Sequence, residues 1–115
     1  MHELALAEEV SRIVEDAAAA RGATEVGRIV LEIGQLAMVE VDALTFCLAS
    51  VLRDGCARGA CIDVELVPGR GRCGACGAEA ALAQRYDPCP ACGAHALEPT
   101  AGTGMRVREI ELILP

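Results

Sequence analysis

Four of the seven cysteines fall into two C-x-x-C pairs, Cys73-Gly74-Ala75-Cys76-Gly77 and Cys89-Pro90-Ala91-Cys92-Gly93, with twelve residues between them. Two thiolates spaced by two residues can grip one ion from a single tight turn. Two such turns complete a tetrahedral shell of four sulfurs. Gly77 and Gly93 stand where the chain must bend sharply and where amides can point at sulfur. Zn(II) is the default ion, and a closed four-thiolate shell leaves no open position for a substrate, so the expected role is structural. Two disulfides are the rival reading, disfavoured in a reducing compartment. A rubredoxin-like iron site uses the same knuckles, but it wants packed aromatics, and Tyr86 is the one nearby.

The chain begins Met1-His2-Glu3. These residues read equally as an ordinary frayed end. Yet a free terminal amine on Met1, the amide of His2 and the imidazole of His2 can chelate one ion in fused rings. The amide or carboxylate of Glu3 offers a fourth donor. Nitrogen-rich, planar coordination suits Ni(II) or Cu(II), not zinc. Such donors must shed protons to bind, so affinity should rise with pH through roughly 6.5–8, the ordinary range of imidazoles and α-amino groups. With so bulky a second residue, Met1 should escape trimming.

The elements that would hold these residues follow from periodicity. Residues 3–20 read as a helix with Leu6, Val10, Ile13, Val14 and Ala17 on one face, and Gly22 suits a left-handed stop. Residues 25–33 alternate as a strand. Glu40 and Asp42 precede a second helical pattern with Leu44, Cys47, Leu48, Val51 and Leu52 on one side, where acidic residues favour a helix start. Residues 61–67 alternate again, with Ile62, Val64 and Leu66 on one face. From Met105 a last strand begins, and its parity changes near Arg108–Glu109, as a β-bulge would produce. The expected architecture is α+β: two helices packed on a three-stranded sheet, with an inserted zinc-ribbon-like module. The expected domains are residues 1–69 with 100–115, and residues 70–99. No internal repeat stands out.

Composition limits what this chain can be. Of 115 residues, 53% are apolar, but 21 are Ala and 7 are Cys, and the aromatics are Phe46 and Tyr86 alone. A large core is excluded, and a second stabilising device is needed. The net charge is −7 and all ten basic residues are Arg, so polyanion binding by the whole chain is disfavoured. The cysteine module carries Arg70, Arg72 and Arg85 against Glu79, Asp87 and Glu98, which is no basic platform for nucleic acid. No apolar run approaches the ~20 residues of a membrane span. Glu3, Glu8 and Glu9 stand where a signal peptide would need basic and apolar segments, so a cytoplasmic protein is expected. No P-loop occurs.

In combination, Met1-His2-Glu3, Ile33-Gly34 followed by Val39-Glu40 and Leu44-x-Phe46, the two C-x-x-C pairs and a C-terminal strand resemble the HypA/HybF hydrogenase maturation family. The resemblance covers essentially the whole chain. It implies a nickel metallochaperone, not an enzyme, that helps insert Ni(II) into the large subunit of nickel–iron hydrogenases alongside a GTPase partner. It implies that His2 ligates nickel, that Glu3 belongs to that site or its surroundings, and that Glu40 is a secondary candidate. The four zinc thiolates map to Cys73, Cys76, Cys89 and Cys92. Monomer and homodimer are both open. The alternatives are a zinc-ribbon adaptor for protein or nucleic acid, and a small iron electron carrier. Cys47 reads as a buried small hydrophobe. Cys56, Cys61 and His95 read as unremarkable, and Glu8, Glu9, Glu15 and Asp16 as a solvated helix face.

Overall fold

A computed structural model describes His2–Pro115. Helix α1 spans Glu3–Ala20 and buries Ala7, Val10, Val14 and Ala18, spaced by three and four residues. This stripe is rotated from the one expected: Ile13 is 39% exposed. The reason is steric. Alanines at both ends of the stripe let α1 pack closely against helix α2, Val41–Val51. Gly22 closes α1 at φ +67°, with the amides of Gly22 and Ala23 returning to Ala19 and Ala18.

Strand β1, Glu25–Gly34, is the central strand of a sheet ordered β2-β1-β6, with β2 at Cys61–Val67 and β6 at Met105–Ile113. Ile29, Val30 and Leu31 are buried in succession, so both faces of β1 are covered there. A 3₁₀ turn, Leu52–Asp54, continues α2 and leads toward β2. Leu66 departs from expectation: it is 67% exposed rather than facing inward with Ile62 and Val64. In β6 the half-buried positions are Met105, Val107, Ile110 and Leu112, with Arg108 and Glu109 both exposed between them. The expected change of parity is therefore present.

A second sheet, ordered β4-β3-β5, consists of β3 (Arg70–Cys73), β4 (Glu79–Ala81) and β5 (Leu97–Ala101). Both pairings are antiparallel, with Gly71 opposite Ala80 and Pro99. Its small core joins Leu82 and Leu97 to Cys73, Cys89 and Ala80, and recruits Leu36 from the loop after β1. Two helices and two small sheets make the α+β class expected.

The chain divides into two compact units. One comprises residues 1–31, 39–64 and 107–115; the other comprises 32–38 and 65–106. Within the second, three glycines permit close backbone crossings. A Cβ on Gly34 would fall on the carbonyl of Gly102, and one on Gly69 would fall on the carbonyl of Leu82. Gly102 itself sits at φ +77°.

Candidate metal centres

The four module cysteines converge: their sulfurs all lie within 4.8 Å of one another, and among the described residues no other such group of metal-ligating side chains forms. Two contacts link one knuckle to the other, Cys73 to Cys92 and Cys76 to Cys89, each at 3.7 Å. A tetrahedral zinc with Zn–S of about 2.3 Å demands sulfurs about 3.8 Å apart. All seven cysteines are free, and 3.7 Å is far beyond a disulfide bond of about 2.05 Å. The donor set and spacing therefore fit structural Zn(II).

The knuckles are copies of one another. Each reads C-x-A-C-G-A, at residues 73–78 and 89–94, a short repeat that a scan for longer periods passes over. In the first, the Gly77 amide donates to the Cys73 carbonyl and the Cys73 amide donates to Ala78, both at 2.8 Å. In the second, Gly93 donates to Cys89 at 2.7 Å and Cys89 to Ala94 at 2.8 Å. Gly77 and Gly93 take φ of +77° and +76°, which closes each turn. The first cysteine of each pair is buried and the second exposed. The backbone amide of Cys76 lowers the Cys73 thiol to about 7, helped by that of Ala75 against the opposing effect of burial. The amides of Cys92 and Ala91 lower Cys89 in the same way. Amides aimed at sulfur favour thiolate, the form that binds metal.

At the other candidate site, Met1 lies outside the described residues. His2 is exposed at the N-cap of α1, and its carbonyl accepts the Leu6 amide at 2.9 Å. The structure joins Glu3 to Glu40: the Glu3 carboxylate accepts the Glu40 backbone amide at 3.2 Å. That hydrogen bond is the main cause holding the Glu3 carboxyl down to about 2. Glu40 caps α2 by accepting the Asp42 amide at 3.2 Å.

The residues set aside fare variously. Cys47 is half-buried rather than buried. His95 is exposed, with Nδ1 3.1 Å from the Tyr86 carbonyl. Glu15 is not simply solvated: its carboxylate accepts the Cys56 amide at 3.0 Å. Burial, then the neighbouring Glu15, pushes the Cys56 thiol up. Nothing local in the sequence marks the Glu15–Cys56 contact, which bridges 41 positions.

The family described as "Hydrogenase/urease nickel incorporation, metallochaperone, hypA" matches residues 1–112. The chain belongs to this family. HypA proteins are maturation factors that incorporate nickel; they are metallochaperones and not enzymes. The hydrogenase maturation factor HypA of Azoarcus sp. (strain BH72) is 56% identical over 112 residues, covering 97% of this chain and 98% of that protein. The HypA of Dechloromonas aromatica (strain RCB) is 45% identical over 112 residues, covering 97% and 99%. The fold matches the solution structure of the Ni metallochaperone HypA from Helicobacter pylori with a TM-score of 0.73 over all of both chains, at 20% identity. Among the described residues, no helix of this HypA-family chain is long and apolar enough to cross a membrane.

Proposed function

We propose that this chain carries nickel at its N-terminus and zinc at the cysteine cluster, and that it passes nickel to the large subunit of a nickel–iron hydrogenase in the cytoplasm. The Met1 amine, the His2 amide and the His2 imidazole supply three nitrogens. Glu3 supplies the fourth donor. Its carboxylate accepts the Glu40 amide, which fixes the first turn of α1 in place. Glu40 is then a positioning residue that steadies the N-terminus. Cys73, Cys76, Cys89 and Cys92 hold zinc. The division of labour follows the chain: residues 1–69 and 100–115 serve nickel, and residues 70–99 serve zinc.

One observation carries this reading: the contact between the Glu3 carboxylate and the Glu40 amide. It ties the first turn of α1 to the start of α2 and leaves His2 exposed beside that junction. Exposure suits transient chelation, in which a recipient's ligands displace the carrier's one at a time. The absence of a P-loop from this sequence fits a GTPase acting as a separate partner. The chain acts as a monomer or a homodimer in this cycle.

Titration of the untagged, zinc-loaded protein with nickel tests the reading. The expected result is one nickel per chain with the absorption of a planar nitrogen-rich site, zinc retained, and nickel lost to added hydrogenase large subunit. Nickel entering only by displacing zinc from the cysteines would overturn it.

A further inference from the structure

A cavity of about 280 Å³ opens at the C-terminal end of α2, within the compact unit that holds both helices. Buried Leu52 and Ala57 and half-buried Ile62 line its apolar part, and exposed Arg53 and Arg58 line the rest. Its frame is fixed by hydrogen bonds. The Arg58 amide donates to the Gly55 carbonyl at 3.2 Å and the Ala60 amide to the Ala57 carbonyl at 3.0 Å, which closes the turn carrying Arg58. Within that turn Glu15 accepts the Cys56 amide at 3.0 Å, and the Val26 amide donates to the Cys56 carbonyl at 2.8 Å. A site whose backbone is set beforehand loses little freedom on binding.

The charge at this cavity is out of keeping with the rest of the chain. Acidic residues outnumber arginines 17 to 10, and Arg12, Arg28, Arg72 and Arg106 each meet a carboxylate. Among the described residues, no carboxylate forms an ion pair with Arg53 or Arg58, although Asp54 follows Arg53 directly. An apolar surface continues from the cavity along α2. Phe46, Ala49, Ser50 and Arg53 are all exposed and follow one another at three- and four-residue spacing, so they share one stripe of the helix.

We propose that this cavity and the adjoining stripe of α2 are a docking surface for an acidic segment of another protein. An aliphatic side chain of that segment enters the cavity against Leu52, Ala57 and Ile62, and its flanking carboxylates meet Arg53 and Arg58. Guanidinium and carboxylate pair through two parallel hydrogen bonds, so two unengaged arginines select this chemistry. The cavity is smaller than the roughly 300–1,000 Å³ of ordinary small-molecule sites, which suits a side chain carried on a peptide. A chain of net charge −7 repels polyanions as a whole. A short segment with an apolar anchor adds a burial gain that a bare anion lacks. No part of this rests on the nickel reading, since neither metal touches the cavity's residues.

Nuclear magnetic resonance of the nitrogen-15-labelled, zinc-loaded, nickel-free full chain tests the proposal. The probe is the blocked peptide acetyl-Glu-Asp-Leu-Leu-Glu-Asp-amide. It should shift amides between positions 45 and 62, with a dissociation constant on the order of 1 mM or tighter. The same peptide with glutamine and asparagine for its acids, or serine for its leucines, should bind about fivefold more weakly or worse. Arg53→Ala and Arg58→Ala should each cause a loss of about fivefold or more, and Phe46→Ser a loss of about twofold. Arg21→Ala removes an equal charge outside the cavity and should change nothing. Zinc content and circular dichroism report folding, and the altered peptides need no substitution in the protein. Absence of these shifts, equal binding of the neutral peptide, unchanged binding by both cavity arginine variants, or an equal loss in Arg21→Ala would each overturn the proposal. Inorganic phosphate or phosphatidylglycerol vesicles shifting the same amides at lower concentration than the peptide would also overturn it, by making a bare anion or a membrane the occupant.

Discussion

The Glu3 carboxylate holds the backbone amide of Glu40 at 3.2 Å, while the Glu40 carboxylate holds the amide of Asp42 at the same distance. Two residues 37 apart in sequence thus form a short relay from the start of one helix to the start of the next. A carboxylate near a helix N-terminus is favoured by the orphan amides there. The first turn of α1 is thereby given a fixed neighbour, as a small chelate needs.

Glu3 should therefore leave a signature in acid. The Glu40 amide holds its folded pKa at about 2, below the ordinary carboxyl value of 4.5. A depressed carboxyl contributes stability that is fully present above the unfolded value and is lost as pH falls through the folded one. Melting temperatures of wild type and Glu3→Gln, measured between pH 6 and pH 2, should converge as pH drops from about 4.5 to about 2. Parallel curves through that window would show that the Glu40 contact contributes nothing.

Removing zinc should unfold one part of the chain and spare the other. Cys73 and Cys89 are both members of the four-sulfur cluster and core residues, packed with Leu36, Leu82 and Leu97. Structural zinc contributes on the order of 10 kcal/mol to small metal-dependent domains. With chelator, or in Cys76→Ser, amides of β3, β4 and β5 should lose protection from exchange. The helical circular dichroism should persist, since α1 and α2 belong to the other compact unit. Simultaneous loss of both signals would contradict this.

Two glycines should behave oppositely. Gly34→Ala puts a methyl group on the carbonyl of Gly102, whereas nothing lies within 4 Å of a Cβ on Gly104. Urea unfolding should show Gly34→Ala destabilised by roughly 3 kcal/mol and Gly104→Ala changed by less than about 0.5 kcal/mol. Equal effects would mean that the backbone crossing at Gly34 yields easily.

The legible parts of this molecule are the local ones. The cysteine knuckles are read from six residues at a time, and the structure only brings the two readings together. Both helices and the first, second and last strands of the chain that flank the module lie where periodicity places them. Long-range choices were hidden. The buried stripe of α1 runs through Ala7 and Ala18 because helix packing rewards small residues, and an alanine-rich sequence does not say which alanine faces inward. Leu36 belongs to the zinc module's core although 37 positions separate it from Cys73. Glu15 looks like any exposed helical carboxylate until the turn at Cys56 arrives beside it. Phe46 and Tyr86, the chain's two aromatics, are 77% and 73% exposed, so neither anchors the core. The Glu3–Glu40 contact joins two residues singled out separately, and only the fold shows that they meet.

The nickel and zinc content of the untagged protein, of His2→Ala, and of a form with one residue added ahead of Met1 bears most directly on the proposed carrier. Adding a residue moves the amine and replaces it with a peptide bond, while His2→Ala removes the imidazole; neither touches the cysteines. The expected result is one nickel and one zinc in the first protein, and zinc alone in the other two, with unchanged circular dichroism. A zinc-filled wild type that refuses nickel, or either altered form binding one nickel with undiminished affinity, would contradict the assignment.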